Sequence, residues 1–99
     1  MEKIRVIIAD DHAVVREGTR HILEQEEDIS VVGEARDGAE AVALVETLKP
    51  DVAIVDISMP VIGGIEATER IKALRPGTAV LILTSYDDDR YVFALLAAG

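Results

Sequence analysis

The run Val52-Ala53-Ile54-Val55 meets a single carboxylate at Asp56 and breaks at Met59-Pro60. Four consecutive apolar residues without polar alternation predict a strand buried on both faces. Such a strand needs a parallel sheet with helices above and below it. At 99 residues the chain suits one such domain and no second. An aspartate at the carboxyl end of a buried strand lies at the mouth of the sheet, where open α/β folds place their ligands. The plainer alternative is an aspartate that caps the following turn.

The rest of the chain supplies the partners of that strand. Ile4-Arg5-Val6-Ile7-Ile8-Ala9 is a first, β-branched strand ending in Asp10-Asp11-His12. A helical pattern follows from about Ala13 to Glu27, with Val14, Gly18 and Ile22 on one face and Val15 and Leu23 beside them. Residues 30–36 form the least apolar strand, which places it at an edge. Asp37-Gly38 makes a turn, and a second helix runs from about Ala39 to Leu48 with Ala41, Val42, Val45 and Leu48 inward. Lys49-Pro50 stops it. After the central strand, residues 61–64 form a loop. A third helix spans about Ile65 to Leu74, with Ile65, Thr68, Ile71 and Leu74 on one face, and ends at Pro76-Gly77. Residues 79–83 are a fourth, wholly apolar strand ending at Thr84-Ser85. Asp87-Asp88-Asp89 opens a fourth helix through Tyr91, Val92, Leu95 and Leu96.

Strands alternating with helices give an α/β fold with right-handed crossovers. An apolar first strand and a weak second one favour a flavodoxin-like parallel sheet of order 2-1-3-4. In that order Asp10 and Asp11, Asp56 and Thr84 converge at one mouth. Carboxylates held that close repel and need a counterion. With no cysteine in the chain, an all-oxygen set suits Mg²⁺ or Mn²⁺. A carboxylate beside such a cation can act as a nucleophile toward phosphorus. Asp10 and Asp11 as caps of the first helix are the competing reading. His12 reads as an exposed helix-start histidine, and His21 is assigned no chemistry.

Asp10-Asp11-His12, Asp56-Ile57-Ser58-Met59-Pro60, Gly63-Gly64 and Leu83-Thr84 resemble the receiver domain of two-component response regulators. Arg16, Gly18, residues 34–38 and Gly64-Ile65-Glu66-Ala67 are similar to its NarL/LuxR-type subgroup. The resemblance covers residues 1–99 and implies a bacterial regulatory domain rather than an enzyme, one that supports at most its own phosphoryl transfer. It implies that Asp56 accepts a phosphoryl group from a sensor histidine kinase. Mg²⁺ would be held by Asp11, Asp10, Asp56 and the backbone carbonyl of Ser58. Thr84 would be the switch hydroxyl that acts with Asp56, and Tyr86 would gate the pocket. DNA would be reached only through a C-terminal helix-turn-helix domain that these residues do not include. By the same resemblance the fifth strand, with its lysine, and the fifth helix fall beyond Gly99, so the chain reads as a truncated receiver with weakened phosphorylation.

The remaining totals narrow the class. A net charge of −9 argues against direct binding to nucleic acid or an anionic membrane. No apolar run approaches the roughly 20 residues of a membrane span, and charges at Glu2, Lys3 and Arg5 break any signal-peptide pattern. A cytoplasmic location is the expectation. A phosphorylation-independent dimerisation module is the second function class. An aspartyl-nucleophile phosphatase is the third, disfavoured by Ser58 where such enzymes carry a second Asp. An uncovered fourth strand and first helix would expose apolar surface, so the chain is expected to form a homodimer or swapped oligomer. Sedimentation equilibrium should show mass above the monomer at high concentration; a monomer throughout would overturn this expectation.

Overall fold

The computed structural model describes residues 3–83. Within them run β1 (Ile4–Ala9), α1 (Ala13–Glu24), β2 (Ile29–Ala35), α2 (Gly38–Leu48), β3 (Val52–Asp56), α3 (Gly64–Leu74) and β4 (Ala79–Leu83). All strand pairs are parallel and the order is β2-β1-β3-β4. This is the flavodoxin-like arrangement anticipated above, with β2 at one edge. Among the described residues there is no fifth strand. Thr84, Tyr86 and the fourth helix anticipated over residues 87–96 lie outside them.

The chain direction explains the layering. A right-handed crossover from β1 to β2 and one from β2 to β3 step in opposite directions across the sheet. They therefore put α1 on one face and α2 and α3 on the other. Alternating side chains of β1 serve both faces. Ile7 and Ala9 join Ala53 and Val55 against Ala41 and Val45 of α2 and Ala67 and Ile71 of α3. Val6 and Ile8, also buried, point to the other face. The central strands are thus apolar throughout because each residue meets a layer.

The bottom of the sheet is stitched through Asp51. Its carboxylate accepts from Arg5 N at 2.9 Å, its N–H donates to Arg5 O at 2.9 Å, and its carbonyl accepts from Ala79 N at 2.9 Å. Buried Thr78 donates to Pro50 O at 2.8 Å. These bonds fix where β1, β3 and β4 begin, and so where they end.

Several expectations need correction. Helix α1 stops at Glu24 rather than Glu27, with Gln25 N–H donating back to Ile22 O and Glu26 N–H to Leu23 O. The run Glu24 to Asp28 carries four carboxylates at the negative end of the helix dipole, which opposes further turns. Its sheet-facing stripe is Arg16, Thr19, Arg20 and Leu23, whereas Val14 is 83% exposed and Val15 and Ile22 are exposed. Ion pairs from the two arginines to β2, described below, set this face. Strand β2 covers 29–35 rather than 30–36, and α2 and α3 each begin one residue earlier than read. Leu74 is exposed, while Ala67 takes the buried place beside Thr68 and Ile71. Strand β4 exposes Leu81 and Leu83, in line with the apolar surface anticipated for an uncovered fourth strand. Asp37 caps α2 as well as turning the chain, accepting from Glu40 N at 2.8 Å, while Glu40 accepts from Arg36 N at 3.2 Å.

Close backbone approach requires glycine at two positions, Gly38 against the Ile62 carbonyl and Gly64. A Cβ at Gly64 would strike Asp56 O and lie 2.6 Å from Ile57 Cα. Gly18, mid-helix in α1, has open space instead. The same substitution should therefore act with opposite signs. Gly64→Ala should cost about 1–3 kcal/mol by overpacking, and Gly18→Ala should add about 0.5–1 kcal/mol by helix propensity. Urea denaturation followed by circular dichroism measures both.

Candidate metal and phosphoacceptor site

Strands β1 and β3 lie side by side with Ala9 opposite Val55. The next residue of each, Asp10 and Asp56, therefore leaves the sheet at the same level. Asp10 is 4% exposed, and its N–H donates to Ala35 O at 3.0 Å on the other neighbouring strand. Its Oδ1 accepts from His12 N at 2.8 Å, folding the chain into a tight turn before α1. His12 is the N-cap residue of α1 and makes no side-chain cap bond. Its Nδ1 lies 3.3 Å from Asp10 Oδ1 and 3.1 Å from Asp11 Oδ1. One donor atom each from Asp10, Asp11, His12 and Asp56 falls within 4.8 Å of all the others. Three carboxylates at that spacing fit a hard divalent cation, whose charge offsets theirs.

A second set of contacts anchors the turn. Arg16 Nη1 donates to Asp10 O at 2.8 Å, and its Nε meets Glu34 Oε1 at 3.2 Å. Arg20 Nη1 binds Glu34 Oε2 at 2.9 Å and pairs with Glu24 at 3.3 Å. The Arg16 side chain is only 17% exposed, so its bonds are shielded from water. One guanidinium ties α1, the end of β1 and the edge strand β2 together.

The model of the response regulator receiver domain matches residues 6–99. The chain belongs to that family. The oxygen regulatory protein NreC of Staphylococcus haemolyticus is 50% identical over 97 residues, covering 97% of this chain and 45% of that protein. The chain thus spans about half the length of such curated relatives. Among solved structures, the receiver domain of the putative response regulator NarL from Mycobacterium tuberculosis superposes with a TM-score of 0.95 at 36% identity, covering 100% of this chain and 80% of that one. The isolated receiver domain of RcsB from Salmonella enterica serovar Typhimurium, in the presence of phosphomimetic BeF3⁻, gives 0.90 at 35%, covering 98% and 72%. These relatives bear out the NarL/LuxR-type resemblance.

In this receiver Asp10, Asp11 and Asp56 come together as anticipated. Ser58 sits on an exposed bend two residues past Asp56, with its backbone N–H directed at the Asp56 carboxylate. The capping alternative for Asp10 and Asp11 does not hold, since His12 occupies the N-cap position. Two contributors were missed. His12 is exposed as expected, at 67% for the side chain, yet its ring reaches both carboxylates. Its contiguity with Asp10-Asp11 was the available signal. Arg16 entered only through the family resemblance, and nothing in its spacing announced a bond to Asp10 O.

Burial pushes the Asp56 carboxyl above the ordinary carboxylate range. The charge of Asp10, and more weakly that of Asp11, adds to this; the Ser58 N–H and His12 act the other way. A raised folded pKa means the native state holds more protons than the unfolded chain. Without metal, stability therefore falls as pH rises from about 4 through the folded value. Asp56→Asn should be more stable than wild type in chelator at pH 7. The gain should vanish as pH falls to about 4 and on adding Mg²⁺, as followed by urea denaturation. Arg16→Met should lose about 1–2 kcal/mol, more than Arg20→Met, whose guanidinium is half-exposed and better screened; the same denaturation series compares them.

Proposed function

We propose that Asp56 is the phosphoacceptor of a signalling domain within a response regulator that controls transcription. The observation that carries this reading is the placement of Asp10, Asp11 and Asp56 donor atoms within one 4.8 Å cluster at the mouth of a receiver fold. An Asp56 carboxylate oxygen attacks phosphorus of a phosphohistidine on a sensor histidine kinase. The P–N bond breaks, the imidazole leaves, and an acyl phosphate forms on Asp56. Asp10, Asp11, Asp56 and the Ser58 carbonyl would hold Mg²⁺ or Mn²⁺, which would neutralise charge on the transferring group. The raised Asp56 pKa supports a crowded carboxylate set that a cation relieves.

Phosphorylation adds about −1.5 to −2 charges at this mouth. Thr84 is the switch hydroxyl and Tyr86 the gate of this reading, and a population shift carries the change to a partner surface. Residues 1–99 form the regulatory receiver unit, which acts as a switch rather than an enzyme. In the parent protein a DNA-binding domain delivers the output in the cytoplasm. Among the described residues no helix is long and apolar enough to cross a membrane. A second reading, association independent of phosphorylation, is favoured by the exposed Leu81 and Leu83 on β4.

Incubation with a small phosphodonor and Mg²⁺, followed by intact-mass measurement, tests the main reading. One phosphoryl group should appear on the wild type, at partial occupancy, and none on Asp56→Asn. Equal labelling of both would overturn the assignment.

A further inference from the structure

The side chain of His12 has a role that the phosphoacceptor reading leaves unused. We propose that His12 Nδ1 is a direct ligand in the acidic site, so that the site selects first-row transition metals such as Co²⁺ over Mg²⁺. This rests on the reading of Asp10, Asp11 and Asp56 as a metal site.

The geometry carries the assignment. Ligands adjacent to one another around an octahedral ion, with bonds of about 2.1 Å, lie about 3 Å apart, and opposite ligands about 4.2 Å. His12 Nδ1 stands 3.1 Å from Asp11 Oδ1 and 3.3 Å from Asp10 Oδ1. The whole set, Asp56 included, lies within 4.8 Å. That is up to about 0.6 Å beyond the span of opposite ligands, so a small closing of the outermost pair lets an ion between these atoms take the imidazole as a fourth protein ligand. The ring is held there by its backbone, because His12 N donates to Asp10 Oδ1 at 2.8 Å. Its exposed edge leaves Nε2–H in water, so the tautomer with a free Nδ1 lone pair has a partner for its proton.

The donor chemistry then sets the preference. Carboxylates serve Mg²⁺ well, and an imidazole adds little to that small, strongly hydrated ion. Imidazole nitrogen suits transition ions, whose affinity for mixed N/O sites rises along the first row. The positive end of the α1 dipole opposes any cation, but by only about half a charge against three carboxylates.

The untagged chain, titrated separately with Co²⁺ and with Mg²⁺, tests the proposal. His12→Ala is a suitable variant because His12 contributes no side-chain cap to α1; circular dichroism checks its fold. The wild type loaded with Co²⁺ should show a hyperfine-shifted, non-exchangeable imidazole ring C–H proton signal. His12→Ala should lose it, and His21→Ala should keep it. His12→Ala should weaken Co²⁺ about tenfold and leave Mg²⁺ affinity within about twofold. Co²⁺ binding with no imidazole signal, or equal Co²⁺ affinity in His12→Ala, would overturn the role of His12 and leave the metal site standing. Absence of binding by either ion, or binding that survives Asp11→Ala and Asp56→Ala, would overturn both.

Discussion

The parallel pairing of β1 with β3 is the constraint on which the site depends. With Ala9 opposite Val55, the chain has no means of separating Asp10 from Asp56. Burial of both strands on two faces forbids a slip, since a one-residue shift would send apolar side chains of β1 and β3 out of register with both helical layers. The repulsion among the carboxylates is therefore imposed by the hydrophobic core. A core of this kind, with Ile7, Val55 and Ile71 fully buried, is strong enough to hold the carboxylates together at the sheet's mouth. The desolvation and charge crowding on Asp56 follow from that imposed proximity.

Polar contacts then fix what apolar packing leaves loose. Arg16 reaches from α1 to the carbonyl of Asp10 and to Glu34 on β2. The acidic turn is consequently held at three points: by β2 through Ala35 O, by α1 through Arg16, and by its own His12 N–H. On the far side of the mouth, Gly64 sits against the Asp56 carbonyl and donates its N–H to Ile57 O at 2.9 Å. The loop between them carries Val61 at φ 67°, a left-handed conformation that costs a β-branched residue about 1–2 kcal/mol. That cost is accepted because the loop must turn sharply to bring α3 back over β3.

Much of the fold and the acidic site was legible in the residues. The continuous apolar runs of β1 and β3 marked the central strands, and 3.6-residue periodicity marked α2 and α3. Asp10, Asp11 and Asp56 were legible because each follows a strand directly, so topology alone brings them together. The failures have a common cause. Val14, Gly18 and Ile22 share one face of α1 as read, but the face that meets the sheet is Arg16, Thr19, Arg20 and Leu23. Hydrophobic periodicity cannot foresee a helix turned by paired arginines whose partner, Glu34, lies 18 residues from Arg16. Likewise Leu74 falls on the apolar stripe of α3 but past the end of what the sheet covers.

The sequence by itself determined the parallel α/β class, the strand order, and which carboxylates share the mouth. Each of these follows from local patterning plus the handedness of crossovers, which are properties of the chain at short range. Tertiary structure alone decided that the His12 ring meets Asp10 and Asp11, that Arg16 holds the Asp10 carbonyl, and that α1 shows Val14 to solvent. Those outcomes rest on contacts of a few ångströms and on the rotation of a helix about its axis. Residue spacing leaves both free until the elements are packed.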